Sequence, residues 1–171
     1  GTILAICEAR NSDPKAMGGD TGDIDILLKR SFDNARAWEP MQIIVDTDGN
    51  LAPLVDQETG TICLLFYKNL ADSGENLIVE GKAPRTVWVT SSKDDGQTWD
   101  EPREITEDVK HPSWTWYATG PGNAIQLQRG PHKGRLVIPC DHRLPGIADR
   151  REASRSHVFF SDDHGKSWKL G

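Results

Sequence analysis

Apolar residues in this chain fall into short runs, at residues 3–7, 24–29, 62–67, 86–90, 124–127, 135–139 and 157–160, separated by stretches rich in Gly, Pro, Asn and Asp. Short apolar runs bounded by turn formers read as β-strands. No segment of helix length keeps the i, i+3, i+4, i+7 apolar pattern free of Gly or Pro, so the chain is predicted to be essentially all-β. Alternation around Ile24 and Ile26 predicts that Asp23 and Asp25 share one face of a strand.

A repeat organises the runs. Ser92-Lys93-Asp94-Asp95-Gly96-Gln97-Thr98-Trp99 and Ser161-Asp162-Asp163-His164-Gly165-Lys166-Ser167-Trp168 share Ser, Asp at +2, Gly at +4, a hydroxyl residue at +6 and Trp at +7. A third copy, residues 31–38, keeps Ser31, Asp33 and Trp38 but has Ala35 and Ala37 in place of the glycine and the hydroxyl. Each copy follows a strand-like run and is predicted to close a hairpin. The Asp accepts hydrogen bonds from turn amides, the Gly takes a positive φ, and the Trp packs beneath the turn. The copies start 61 and 69 residues apart, with several short strands in each period. That spacing fits four-stranded propeller blades better than a sandwich, in which no hairpin motif need recur. About two and a half units are present. Closed rings need roughly four to eight blades, so the remainder of a propeller is expected, from further chain or from assembly of several chains.

Composition narrows the partners. The 171 residues are 36% hydrophobic, ordinary for a folded strand-rich protein. Twenty basic and 26 acidic residues give a net charge of −6 with no block of like charges, which argues against nucleic acid. No run of about 18 apolar residues predicts a transmembrane segment. The opening Gly1-Thr2-Ile3-Leu4 lacks signal-peptide features and reads as the middle of a structural unit, so a leader upstream stays open. Cys7, Cys63 and Cys140 sit singly in or beside apolar runs and are expected to be buried free thiols. No His or Cys pair has metal-ligand spacing, the Asp-rich turns lack a calcium-loop pattern, and neither metal nor cofactor is expected.

Several of these landmarks occur together in one known family. Glu8-Ala9-Arg10, Asp20-Thr21-Gly22-Asp23-Ile24-Asp25 and Leu28-Lys29-Arg30-Ser31 resemble the opening of sialidases of the neuraminidase superfamily. Residues 52–56, 59–62, Thr119-Gly120-Pro121-Gly122-Asn123-Ala124-Ile125-Gln126-Leu127 and Gly134-Arg135-Leu136-Val137-Ile138-Pro139 resemble later landmarks in the same order, and the resemblance spans residues 1–171. It implies part of a six-bladed β-propeller (sialidase fold), an incomplete catalytic domain over residues 1–171, and an exo-α-sialidase that hydrolyses terminal sialic acids from glycoconjugates with retention. In that family three arginines grip the sialic acid carboxylate, an Asp is acid/base, and a Tyr activated by a Glu is the nucleophile.

By its place in the loop after Glu8-Ala9-Arg10, Asp20 matches the acid/base, and Gly18-Gly19 before it supply mobility; Asp13 is the rival in the same loop. Arg10 resembles the arginine that supports the cleft beside the acid/base, with an ion pair to Glu8 or Asp20 as the structural alternative. Asn50 resembles a position that faces the sugar, although Leu51 stands where relatives often have Pro; a simple turn Asn in Asp48-Gly49-Asn50 is the alternative. The first carboxylate-gripping arginine is expected upstream of residue 1 and the nucleophile pair beyond Gly171, so the chain alone is expected to be inactive.

Other residues read as structural. Trp114, Trp116 and Tyr117 could stack on sugars but fit blade-core packing better. Asp141-His142-Arg143 lies at a strand exit, yet no Ser or Cys motif partners His142 for triad chemistry, and His111, His132 and His157 stand alone. Two functions compete with hydrolysis: a non-catalytic glycan-binding Asp-box propeller, and a trans-sialidase or lyase-type intramolecular transferase.

Overall fold

The structure is a computed structural model that describes residues 1–10, 24–46, 49–69, 73–120 and 122–171, with the Arg10 side chain excepted. Among the described residues, twelve strands form three antiparallel sheets. The first contains β1 (Ile3–Arg10), β2 (Ile24–Ser31) and β3 (Gln42–Val45), in that order. The second contains β4 (Gly49–Val55), β5 (Ile62–Asn69), β6 (Arg85–Ser92) and β7 (Arg103–Glu104). The third runs β8 (Tyr117–Thr119), β10 (Leu136–Arg143), β11 (Ser154–Ser161) and β12 (Lys169–Leu170), with β9 (Ile125–Gln126) also paired to β10. Two four-strand paths and a three-strand sheet match the expected number of units. Helix is limited to α1 (Glu75–Val79), α2 (Thr106–Val109) and α3 (Arg150–Ala153), the last capped by Asp149, which accepts from Arg151 N–H at 2.7 Å and Glu152 N–H at 3.1 Å.

The middle sheet is apolar on both faces. Along β5, Cys63 and Leu65 join a core shared with Tyr117, Leu136, Ile138 and Phe159 of the third sheet, while Leu64 and Phe66 join one shared with Ile26 and Val45 of the first. Alternation across a strand thus sends successive residues to two different neighbours. Along β2, Ile24, Asp25, Ile26, Leu27 and Leu28 are all buried, so Asp25 is covered; Asp23, its expected face-mate, lies outside the described residues. Among the cysteines, Cys63 and Cys140 are buried free thiols, whereas Cys7 is exposed, because β1 is an edge strand and Cys7 lies on the face where Ile3 is also open. Burial pushes the Cys63 thiol up to about 11 and Cys140 up to about 12, so neither is poised as a nucleophile.

The repeated motif forms the predicted turn in all three copies. The Ser hydroxyl donates to the Asp Oδ1 two residues on, at 2.9 Å from Ser31, 2.9 Å from Ser92 and 2.8 Å from Ser161, and accepts the N–H at +4. Asp94 and Asp163 accept the +6 N–H at 2.9 Å and the +6 hydroxyl at 2.6 Å. Asp33 keeps the amide bond, at 2.8 Å from Ala37, but Ala37 has no hydroxyl to offer. Gly96 and Gly165 have φ of 76° and 82°, and Ala35 is held at 65°.

The second and third boxes also fasten their sheets to the preceding ones. A Cβ on Gly96 would lie 3.0 Å from Leu28 and 3.6 Å from Leu4, and one on Gly165 would lie 3.0 Å from Cys63 Sγ. At +3, Asp95 accepts from the Thr2 hydroxyl at 2.9 Å, and His164 Nδ1 meets Asp56 Oδ2 at 2.7 Å. At +5, the Gln97 carbonyl accepts from Gln42 of β3 at 3.2 Å, and the Lys166 carbonyl accepts from Arg103 of β7 at 3.0 Å. The two seams therefore repeat the same three contacts.

Two measurements follow from these turns. An L-residue in the left-handed region costs about 1 kcal/mol, so Ala35→Gly is expected to raise stability by up to that amount in urea titration. Asp56 is fully buried; burial alone would raise its carboxyl, but bonds from Glu58 N–H, His164, Thr59 and Gln126 outweigh it and carry it from 3.8 down to about 2. With the folded value below the unfolded one, its stabilisation is complete above about pH 4 and is lost as pH falls toward 2. The Asp56→Asn protein is expected to melt lower at neutral pH by about 2 kcal/mol of stability and to lose less on acidification; parallel melting-temperature slopes below pH 4 would refute this.

Candidate functional site

Three hairpins share one register measured from the box serine. Ile3 pairs with Ser31, Ile62 with Ser92 and Leu136 with Ser161, so their other ends place Arg10 opposite Ile24, Asn69 opposite Arg85, and Arg143 opposite Ser154. Eight-residue strands thus put the boxes at one end of the sheets and these residues at the other. The edge strands β1, β4 and β8 adjoin one another, so that far end is where side chains of three sheets can converge.

Asn50 stands at this junction. Its backbone has a φ of 34°, tolerable for Asn, and its N–H donates to the Glu8 carboxylate of β1. Its carbonyl accepts from the Thr119 hydroxyl of β8 at 2.6 Å. One residue thereby links all three sheets through its main chain, while its half-buried carboxamide makes no hydrogen bond to any described residue. Beside it, Gly49 is packed so closely on Tyr67 that a Cβ would lie 2.9 Å from the phenol oxygen.

Cations and aromatics surround this point. Arg85, 1% exposed, donates to Asn69 Oδ1 at 2.8 Å and to the Tyr117 carbonyl at 3.1 Å, with Tyr67 and Trp116 ring centroids 4.0 and 5.0 Å from its guanidinium carbon. Lys110 donates to the carbonyls of Arg85 and Thr115 at 2.8 and 3.3 Å; burial, and then the Arg85 charge, pull it down to about 8. Arg143 lies 5.0 Å from the Trp116 ring centre and pairs with Glu75 of α1 at 3.0 Å. Between these cations burial lifts the Asp141 carboxyl above its usual range, and its buried Oδ1 has no hydrogen-bond partner among the described residues.

A second cluster is packed below Trp114, which stacks on His142 with centroids 3.4 Å apart and planes 8° apart. His142 Nδ1 meets His157 Nδ1 at 2.9 Å, and His157 Nε2 meets the Tyr117 hydroxyl at 3.1 Å. Burial lowers both histidines, His157 to about 4 with the His142 charge as second cause, so the pair is neutral near pH 7. Burial also raises Tyr117 well above the ordinary phenol range, which makes it a core group and not an activated nucleophile. Of the aromatic trio, Tyr117 is a core residue and Trp114 packs half-buried against that core, whereas Trp116 is half-buried beside two arginines.

Of the sequence-predicted site residues, Asn50 is at the junction, Arg10 is the last residue of β1 at the same end, and Asp20, with its rival Asp13, lies outside the described residues. Sequence reasoning passed over Arg85 and Glu75, and quoted Thr119 only as the start of a landmark, with no role of its own. A usable signal existed for Arg85: counting seven residues back from the box Ser92 reaches it, as the same count from Ser31 reaches Ile24. Among the described residues no group of three His, Cys, Asp or Glu side chains is placed to hold a metal, and no helix is long and apolar enough to cross a membrane.

Stacked antiparallel sheets, each stapled by an Asp-box hairpin and gathering polar residues at the opposite strand ends, define part of a β-propeller of the sialidase kind. The model of the BNR repeat-like domain matches residues 1–171, and the chain belongs to this family of the sialidase superfamily. Among curated proteins it is 33% identical over 163 residues to an exo-alpha-sialidase of Aspergillus fumigatus, covering 82% of this chain and 38% of that protein. It is 31% identical over 185 aligned positions to a sialidase of Micromonospora viridifaciens, covering 100% and 27%. Among solved structures, the Hadza microbial sialidase Hz136 superposes with a TM-score of 0.79 at 26% identity, over 99% of this chain and 34% of that one. The leech intramolecular trans-sialidase complexed with 2,7-anhydro-Neu5Ac gives 0.80 at 14% identity, over 99% and 41%. The chain therefore spans well under half the length of these relatives.

The bond from Thr119 to Asn50 is the most direct test of the junction. Thr119→Val keeps the shape and leaves a carbonyl unsatisfied, with an expected loss of about 1–3 kcal/mol in urea denaturation, whereas Thr119→Ser should lose much less.

Proposed function

We propose that this chain is part of an exo-α-sialidase that hydrolyses terminal sialic acids from glycoconjugates with retention of configuration, and that the remainder of a six-bladed propeller completes its site. The observation that carries this is a match along the whole chain to proteins named as sialidases, coupled with a register that sends Arg10, Asn50 and the ends of the Arg10–Ile24 connection to one end of the sheets. Residues 1–171 form the incomplete catalytic propeller domain in this view, and the chain alone is inactive.

Asp20 gives its proton to the departing glycosidic oxygen while the enzyme's tyrosine, its phenol proton taken by the partner Glu, attacks the anomeric carbon and that C–O bond breaks. The resulting Asp20 carboxylate then takes a proton from water as the water displaces the tyrosine, and the Glu returns its proton to the phenolate, which restores all three groups. Arg10 supports the cleft beside Asp20. The unengaged Asn50 carboxamide presents a donor and an acceptor to a sugar hydroxyl or amide. No metal or cofactor enters this scheme.

Steady-state hydrolysis by the whole enzyme checks the assignment. Asp20→Ala is expected to reduce turnover of a natural sialoside by about 10²–10⁴-fold, with a smaller loss on a fluorogenic sialoside whose leaving group needs less protonation. Asp13→Ala should leave most activity; the reverse ranking would transfer the acid/base role to Asp13. Proton NMR of the first-formed product separates outcomes: retained free sialic acid supports hydrolysis, an anhydro or transferred product an intramolecular transferase or trans-sialidase, and binding without turnover a glycan-binding propeller.

A further inference from the structure

Arg85 is an unusual group to bury: an ion with 1% exposure at the first position of β6, where a strand-forming apolar residue would serve the core. Its contacts point in two directions, and both end at Asn50. Toward the second sheet, its guanidinium stacks on Tyr67, whose phenol oxygen bears on Gly49, the residue before Asn50. Toward the third sheet, it holds the Tyr117 carbonyl at the start of β8, and two residues along that strand Thr119 donates to the Asn50 carbonyl. Asn69 Oδ1 orients the fork at 2.8 Å, and Trp116 covers its other side.

We propose that Arg85 is a positioning residue for the sugar-binding site: through Tyr67 and Gly49 on one side and through β8 on the other, it fixes the backbone of Asn50 so that the free carboxamide faces the bound sugar. The proposal rests on the sialidase reading above. A planar guanidinium suits the task because it donates in two fixed directions while its faces stack on rings; an ammonium retains the charge but offers neither the fork nor the flat face. Asn50 needs such bracing because its φ of 34° lies outside the preferred backbone regions and its neighbour Gly49 has no side chain with which to anchor.

The test is a double-mutant cycle in the whole enzyme, with Arg85→Lys, Asn50→Ala and the pair assayed for KM and kcat on 3′-sialyllactose. Far-UV circular dichroism and melting curves first establish that each variant is folded, and Arg85→Gln stands in if Arg85→Lys is not. If Arg85 acts through Asn50, Arg85→Lys raises KM by about threefold to a hundredfold with kcat changed less, and the same change adds little once Asn50 is Ala. Equal losses in both backgrounds, or an unchanged KM, would overturn the proposal and leave the sialidase reading intact. If the wild-type enzyme does not turn over the sugar, the same cycle is read in calorimetric Kd for 3′-sialyllactose. Absence of both turnover and binding in the wild type would sink the sialidase reading and this proposal with it.

Discussion

Everything in this molecule depends on the middle sheet having two apolar faces. A sheet with one buried face can stand against water on the other, but β5 buries Ile62, Cys63, Leu64, Leu65, Phe66 and Tyr67 in succession, and so must be covered on both sides. The first and third sheets supply the covers. Leu64 and Phe66 define one core and Cys63 and Leu65 the other, so adjoining sheets are coupled through a single strand. Stacking of this kind, continued around an axis, is what makes a propeller from units too thin to fold alone.

The boxes convert that general attraction into a particular geometry. Burial of apolar faces is non-directional, whereas the bonds of Asp95 to Thr2, His164 to Asp56, and of Gln42 and Arg103 to the carbonyls of Gln97 and Lys166 set position along the strands. They fasten one end of each seam. The other end is joined through Asn50, whose main chain meets Glu8 and Thr119, and it is there that the polar side chains collect.

The box turns were legible in the sequence because their chemistry is local: an Asp, the amides and hydroxyls within four residues of it, and a turn glycine. Long strands with strong apolar runs were legible for the same reason. The packing of the box Trp was less so, since Trp38 of the first copy is exposed. The edge strands β3, β4 and β8 were harder to see, since Gln42–Val45 is short, Pro53 interrupts the pattern of β4 where an edge position tolerates it, and Tyr117–Thr119 hides among aromatics. Of the site, Asn50 and Arg10 came from family resemblance. The count back from Ser92 locates Arg85 at the far strand end, but its role could not be read from its neighbours, because Asn69 and Tyr117, which define it, lie 16 and 32 residues away along the chain.

The +5 contact has a consequence for how such a ring is made. At both seams the acceptor is a main-chain carbonyl, of Gln97 in one and Lys166 in the other, so the side chain at that position is left out of the coupling. A join that reads backbone and not identity lets neighbouring units diverge in sequence without losing their fit. A duplicated unit would arrive with its connector already cut to shape, and ancestry by tandem copying would then need no new interface to be invented at each step.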